Sequence, residues 1–165
     1  MEKELSYKLF TEDEAAAVSE LLIRNFREVN SKDYAPEFIE KSCKRYTATA
    51  IVEMVAQSHF YTFYLGEKLV GCGAIAPYFD REDESILLRI FVNPDYHGQG
   101  IGRAIVNVLE QDVFFKRAQR VEIPSSITGL AFYQKLGYDF KNGIKTLDEE
   151  LLYRLEKFPE KDNLT

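Results

Sequence analysis

The chain has 165 residues, 45% of them hydrophobic and 29% charged, which is ordinary globular usage near the modal size of a single domain. Its 21 Lys and Arg against 27 Asp and Glu give a formal net charge of −6, which argues against a nucleic-acid partner. Cys43 and Cys72 have no metal-like spacing and suggest neither a zinc site nor a disulfide framework, and without a leader-like start or a membrane-length apolar run the expectation is a cytoplasmic protein with no membrane partner.

Residues 5–10 read as a first strand. Thr11-Glu12-Asp13-Glu14 is a capping box, and it opens a helix whose Ala15, Val18, Leu22, Phe26 and Val29 share one face. Pro36 then starts a second helical region that runs to about residue 56. Residues 59–65, the turn Gly66-Glu67 and residues 68–76 form an antiparallel hairpin, with Cys72 as a small buried strand residue. Residues 86–92 make a continuous, β-branched-rich buried strand that Asn93-Pro94 terminates. In the helix that follows, Ile101, Ala104, Ile105, Val108, Leu109 and Val113 fall on one buried face. Residues 121–126 give another strand, Ser126 or Thr128 N-caps a short helix, and Gly137 is its natural C′ residue. Strands near 138–141 and 147–155 complete the sheet. No repeat or linker interrupts this order, so residues 1–158 read as one domain and 159–165 as a frayed polar tail.

The chemistry concentrates between the strand at 86–92 and its following helix. Gly98, Gly100 and Gly102 let the chain turn with no Cβ in the way, so successive backbone N–H groups converge on an anion at a helix N-terminus. Arg103 on the first turn adds charge-assisted hydrogen bonds. A dinucleotide-binding glycine pattern fails, because Arg103 and Ile105 stand where a third small residue is needed. A P-loop fails for want of Gly-Lys followed by Ser or Thr.

The run His97-Gly98-Gln99-Gly100-Ile101-Gly102, preceded by Arg89-Ile90-Phe91-Val92-Asn93-Pro94, resembles the acetyl-CoA loop of the GNAT family, the GCN5-related N-acetyltransferases. That loop begins with Arg or Gln, where this chain has His97. Downstream, Val121 to Ser126 and Leu130-Ala131-Phe132-Tyr133-Gln134-Lys135-Leu136-Gly137-Tyr138 resemble the family's strand and its Tyr-bearing helix, with Ser126 where many members have Asn.

The resemblance implies an α/β (α+β) fold: a mixed, mostly antiparallel central sheet flanked by helices in a single domain, with the strands near 86–92 and 120–124 splaying apart. It implies acetyl-CoA as cosubstrate and no metal. The backbone of Ile90, Phe91 and Val92 would meet the pantetheine arm, Ser126 would contact it, and Gly98, Gln99, Gly100, Ile101, Gly102 and Arg103 would hold the pyrophosphate. Tyr133 would be the catalytic acid toward the departing thiolate. The activity implied is transfer of an acetyl group to the primary amine of a small molecule or peptide. The alternative is a catalytically silent acyl-CoA-binding sensor or structural relative. A homodimer is compatible with either, and the sequence does not identify the acceptor.

The family's strand glutamate falls at Ile86, which takes no proton. Glu84, on the same strand face, and Glu122, on the other motif strand, are the nearest carboxylates, each read first as a solvated or paired group, so the expected route is a water-relayed base or deprotonation in solution. The acidic clusters at 80–84 and 148–150 suggest a cationic acceptor.

Overall fold

Seven strands form one sheet in the computed structural model, which describes residues 4–160. They are β1 (Leu5–Leu9), β2 (His59–Leu65), β3 (Lys68–Pro77), β4 (Glu84–Val92), β5 (Arg120–Ser125), β6 (Asp139–Phe140) and β7 (Tyr153–Lys157), in the spatial order β1-β2-β3-β4-β5-β7-β6. Every neighbouring pair is antiparallel except β4 and β5. The expected mixed, mostly antiparallel sheet flanked by helices is therefore the observed one. Of the predicted tail at 159–165, residues 161–165 lie outside the described residues.

The helices divide between the two faces of the sheet. On one face α1 (Ala15–Glu28), α2 (Pro36–Arg45) and α3 (Ala48–Met54) bury Val18, Leu22, Phe26, Ile39 and Ile51 against Phe60, Cys72 and Ala74. On the other, α4 (Ile101–Leu109) buries Ile105, Val106 and Leu109 among Phe63, Ile75, Leu87 and Tyr138. Strand alternation explains the split, because Cys72 and Ala74 point to the α1 side while the bare Cα of Gly73 faces α4. A Cβ on Gly73 would lie 2.6 Å from Ile105 Cγ2, so the helix can approach the sheet this closely only over glycine.

The capping box forms as read, with Thr11 N–H donating to Glu14 Oε2 at 2.8 Å, but it opens a 3₁₀ turn (Glu12–Glu14) that leads into α1. Three predicted elements differ from those observed. The helical region at 36–56 is two helices, since Tyr46 leaves helical geometry (φ −99°, ψ 54°) and Thr47 caps a fresh start by accepting from Ala50 N–H at 3.2 Å. The helix carrying Ile101 ends at Leu109, and Val113, expected on its buried face, is 62% exposed at the start of α5 (Val113–Lys116). Asp112 causes the break by capping α5 through Phe114 N–H at 2.8 Å, which turns Phe115 inward instead. The strand expected at 147–155 begins only at Tyr153.

The last helix, α6 (Leu130–Lys135), ends as predicted: Tyr138 N–H reaches Tyr133 C=O and Gly137 N–H reaches Gln134 C=O, each at 3.1 Å, which is a Schellman motif. Its start differs slightly. Ser126 Oγ accepts from Gly129 N–H at 3.0 Å one turn before α6, while Thr128 instead donates to Asp33 Oδ2.

Candidate active site

β4 and β5 hold hands over only three residue pairs, Glu84↔Arg120, Ser85↔Val121 and Ile86↔Glu122. Beyond Ile86 the two strands part. From there β4 is paired on its β3 side alone, and the end of β5 on its β7 side alone. The outcome is a wedge whose walls present unpaired backbone amides, groups that must find a partner in water or in a ligand.

A bulge sharpens the wedge. Cys72 lies opposite Phe91 and Ala74 opposite Leu88, so Arg89 and Ile90 together face Gly73. Arg89 takes a left-handed φ of +54°, unusual for a side-chain-bearing residue and a sign that the surrounding packing enforces the turn. Cys72 sits beneath it, with its thiol donating to Arg89 C=O at 3.4 Å and pushed up to about 12 by burial.

The wedge opens into a cavity of about 550 Å³ that Ile90, Phe91, Ser126 and Tyr133 all line. Of the expected site residues, these four share one enclosure. Tyr133 is only 8% exposed, and burial, with Cys72 nearby, pushes its hydroxyl well above the usual phenol range. Such a group stays protonated at neutral pH and is a donor. Ser126 Oγ accepts from Gly129 N–H at 3.0 Å, and a hydroxyl used this way can still donate its own proton.

Residues 98–103 do not line this cavity and lie at the N-terminus of α4. Gly100 is the N-cap with φ +81°, and nothing lies within 4 Å of where its Cβ would stand. The first helical bond runs from Ala104 N–H to Gly100 C=O at 3.1 Å, which leaves the N–H groups of Ile101, Gly102 and Arg103 with no intrahelical acceptor. Gly102 serves another purpose: a Cβ there would meet Phe132 Cζ at 3.0 Å, and Phe132 packs edge-on against Tyr133 at 5.2 Å between centroids. Phe132 thus ties the glycine loop to the cavity tyrosine. Val92 joins the two regions on the strand side, where its carbonyl accepts from His97 Nε2–H at 2.9 Å. His97, at the position where the family pattern has Arg or Gln, braces the loop against the end of β4.

Neither carboxylate considered as a base lines the cavity. Glu122, 1% exposed, lies 3.0 Å from Arg120, 2.8 Å from Lys141 and 3.4 Å from Arg154. Glu84 lies 3.2 Å from Arg120 and 3.7 Å from Arg81. Both are counter-ions in a network behind the wedge. Among the described residues no group of three or more His, Cys, Asp or Glu is placed to hold a metal ion, and no helix is long and apolar enough to cross a membrane.

The cavity wall takes only part of the acidic clusters from which a cationic acceptor was expected: Glu149 and Glu150 line it, and the residues at 80–84 do not. Asp83 and Glu84 pair with Arg81 and lie away from the cavity, and Asp148 is held by Arg154 at 2.7 Å. The lining carries Lys41, Arg45, Arg89 and Arg154 against only Glu149 and Glu150. Net charge is a property of the whole surface, and the local wall has the opposite sign.

Arg89 and Tyr34 are among the lining residues with no role assigned from the sequence. Arg89 was visible as the one charge inside an apolar run, a signal that something other than core packing was needed there. Tyr34 left no signal: its hydroxyl donates to Leu151 C=O at 2.8 Å and accepts from Ile127 N–H at 2.9 Å, clasping three distant segments over the cavity.

The sequence matches the acetyltransferase (GNAT) family over residues 15–138. A search of curated proteins finds no match. Among solved structures, the chain is similar to the PaiA N-acetyltransferase of Thermoplasma acidophilum in complex with coenzyme A, at 16% identity and a TM-score of 0.79 over 94% of this chain and 99% of that one. It is similar to a GCN5-related N-acetyltransferase of Rhodopseudomonas palustris at 18% identity and TM-score 0.78, covering 96% and 98% of the two chains. Ard1 of Thermoplasma volcanium follows at 14% identity and TM-score 0.69, covering 95% and 99%. At these identities the structural likeness speaks for the fold. The family match supplies the rest, and the chain belongs to the GNAT family of acetyltransferases.

Proposed function

We propose that the chain is an acetyl-CoA-dependent N-acetyltransferase that moves the acetyl group directly to the primary amine of a small molecule or peptide. The observation that carries this reading is the parting of β4 and β5 after Ile86 and Glu122, which opens unpaired strand amides onto a buried, protonated Tyr133. A glycine-capped helix start with three free N–H groups and open space in front of Gly100 fits a pyrophosphate.

Acetyl-CoA supplies the thioester carbonyl. Gly98, Gln99, Gly100, Ile101, Gly102 and Arg103 hold the pyrophosphate, through backbone N–H groups and, for Arg103, an exposed side chain that can also reach phosphate oxygens. Ile101 contributes only its amide, because its side chain is in the core. The amides of Ile90, Phe91 and Val92, with the Ser126 hydroxyl, orient the pantetheine arm in the wedge. Strand N–H groups at the bulge stabilise the carbonyl oxygen as it gains charge, an effect of about 3 kcal/mol per well-placed donor. Tyr133 gives its proton to the departing sulfur. With Glu84 and Glu122 held in ion pairs, the amine loses its proton to water.

The test is thiol release from acetyl-CoA over a panel of primary amines, with formation of the N-acetyl product followed by mass. Amine-dependent release supports the proposal. Tight binding of acetyl-CoA with release no faster than hydrolysis for every amine would identify a sensor instead.

A further inference from the structure

Arg89 has a buried Nε that no group hydrogen-bonds, and the titratable groups acting on it are Tyr46, Arg45 and Cys72, none of them a carboxylate. A cation in this setting is costly unless something absent from the protein compensates it. Two more cations face the same space. Lys41 and Arg45 lie one turn apart on α2, on the stripe that also brings Phe38 and Ser42 to the cavity wall. The carboxylate nearest to them in sequence on that helix, Glu40, is engaged elsewhere, 3.7 Å from Arg27. Across the cavity Arg154 is satisfied by Asp148 at 2.7 Å and Glu150 at 3.5 Å, which leaves Glu149 as the one lining carboxylate outside an ion pair among the described residues, against the three cations.

We infer that Arg89, Arg45 and Lys41 form an anion subsite in the acceptor half of the cavity, and that the acceptor is a small amine bearing a carboxylate or phosphate group. This rests on the N-acetyltransferase reading for the word acceptor, whereas the anion subsite stands on the side chains alone. Arginine suits the task, since its fork can take two oxygens of either group in parallel. Size points the same way. A volume of about 550 Å³, shared with a pantetheine arm, is within the range of small-molecule sites and leaves room for a compact acceptor. The bulge is what delivers the charge: with regular pairing Arg89 would alternate strictly with its neighbours along β4, and the extra residue re-aims it.

Two experiments separate this inference from the activity it builds on. In the first, inorganic phosphate is titrated into the protein by calorimetry, with and without saturating CoA, in the wild type, Arg89→Gln and the exposed-helix variant Arg45→Gln. The expected result is phosphate binding that persists with CoA present and weakens at least fivefold in Arg45→Gln and in Arg89→Gln. Phosphate binding that CoA abolishes, or that neither substitution changes, overturns the subsite, and Arg45→Gln keeps the test valid if Arg89→Gln does not fold. In the second, kcat/KM is compared for β-alanine, phosphoethanolamine, ethanolamine and spermidine. A carboxylate- or phosphate-bearing amine should exceed ethanolamine at least tenfold, and the better of the two arms names the anion. Ethanolamine or spermidine as the best substrate overturns the acceptor class. Phosphate binding without turnover of any amine leaves the subsite standing and sinks the N-acetyltransferase reading.

Discussion

Ile86 and Glu122 face each other as the last paired residues of β4 and β5, and the cavity begins where their ladder stops. At the strand position where the family has a glutamate this chain has an isoleucine, and the carboxylate across from it is locked among Arg120, Lys141 and Arg154. The apex of the wedge is therefore an ion-pair network that holds strands together.

Glu122→Gln should accordingly damage stability more than chemistry. Arg120 keeps Glu84 and Arg154 keeps Asp148, but the network loses its buried shared charge and Lys141 its carboxylate, at a cost of about 1–3 kcal/mol. Thermal unfolding should show a drop in Tm, while the pH profile of kcat in the folded fraction keeps its shape. An intact fold with kcat down about a hundredfold and the acid limb lost would make Glu122 the base.

Gly100 and Gly102 should fail differently when substituted. Gly100→Val forces a left-handed φ on a β-branched residue in the loop proposed to hold pyrophosphate, and acetyl-CoA affinity by calorimetry should fall at least tenfold with the fold retained. Gly102→Val pushes on Phe132 and through it on Tyr133, so turnover should fall along with affinity. Unchanged affinity in Gly100→Val removes the loop from the cofactor site.

Tyr133→Phe should lower kcat by about 10²-fold, the usual loss for one positioned acid, while acetyl-CoA binding barely changes because the ring remains. The pH dependence carries a sign. Burial raises the tyrosine's pKa, so the protonated, donating form persists above the usual phenol range, and wild-type kcat should show no alkaline fall up to about pH 9.5. An alkaline limb below about pH 9.5 that vanishes in Tyr133→Phe would contradict a raised value.

Glu14 gives a stability prediction away from the site. Its carboxyl is 5% exposed; burial pushes it up, but hydrogen bonds from Tyr64, from Thr11 N–H at 2.8 Å and from Thr62 at 2.9 Å, with Lys8 nearby, hold it below the usual carboxylate value on balance. A depressed folded pKa means the contribution is present above the unfolded value of about 4.3 and is lost as pH falls through the folded one. Glu14→Gln should cost about 1–3 kcal/mol at pH 7 by denaturant unfolding, with the gap to wild type closing as pH falls below the unfolded value of about 4.3. A gap that is constant with pH would show that the charged form is not what stabilises.

Short-range chemistry determined what the sequence announced by itself. A Cβ-free turn before a helix, the spacing of Ile101, Ile105 and Leu109, the capping box at Thr11 and Glu14, and Gly137 closing α6 are requirements met within a turn or two of chain, so the residue types betray them. Where two local signals competed, the outcome waited for packing: Val113 kept the helical spacing of α4, yet Asp112 capped a new helix and Phe115 took the buried place. Only the tertiary structure decided the site itself. The strands part after Ile86 and Glu122 while β5 keeps its pairing to β7, the bulge sets Arg89 and Ile90 opposite Gly73, and Tyr34 joins segments remote in sequence. The sign of the cavity followed from the same cause. Opposite charges far apart along the chain cancel where folding brings them within a few ångströms, as Arg120 does with Glu84, and the cations left without partners, Arg89 among them, are known only once every pairing is made.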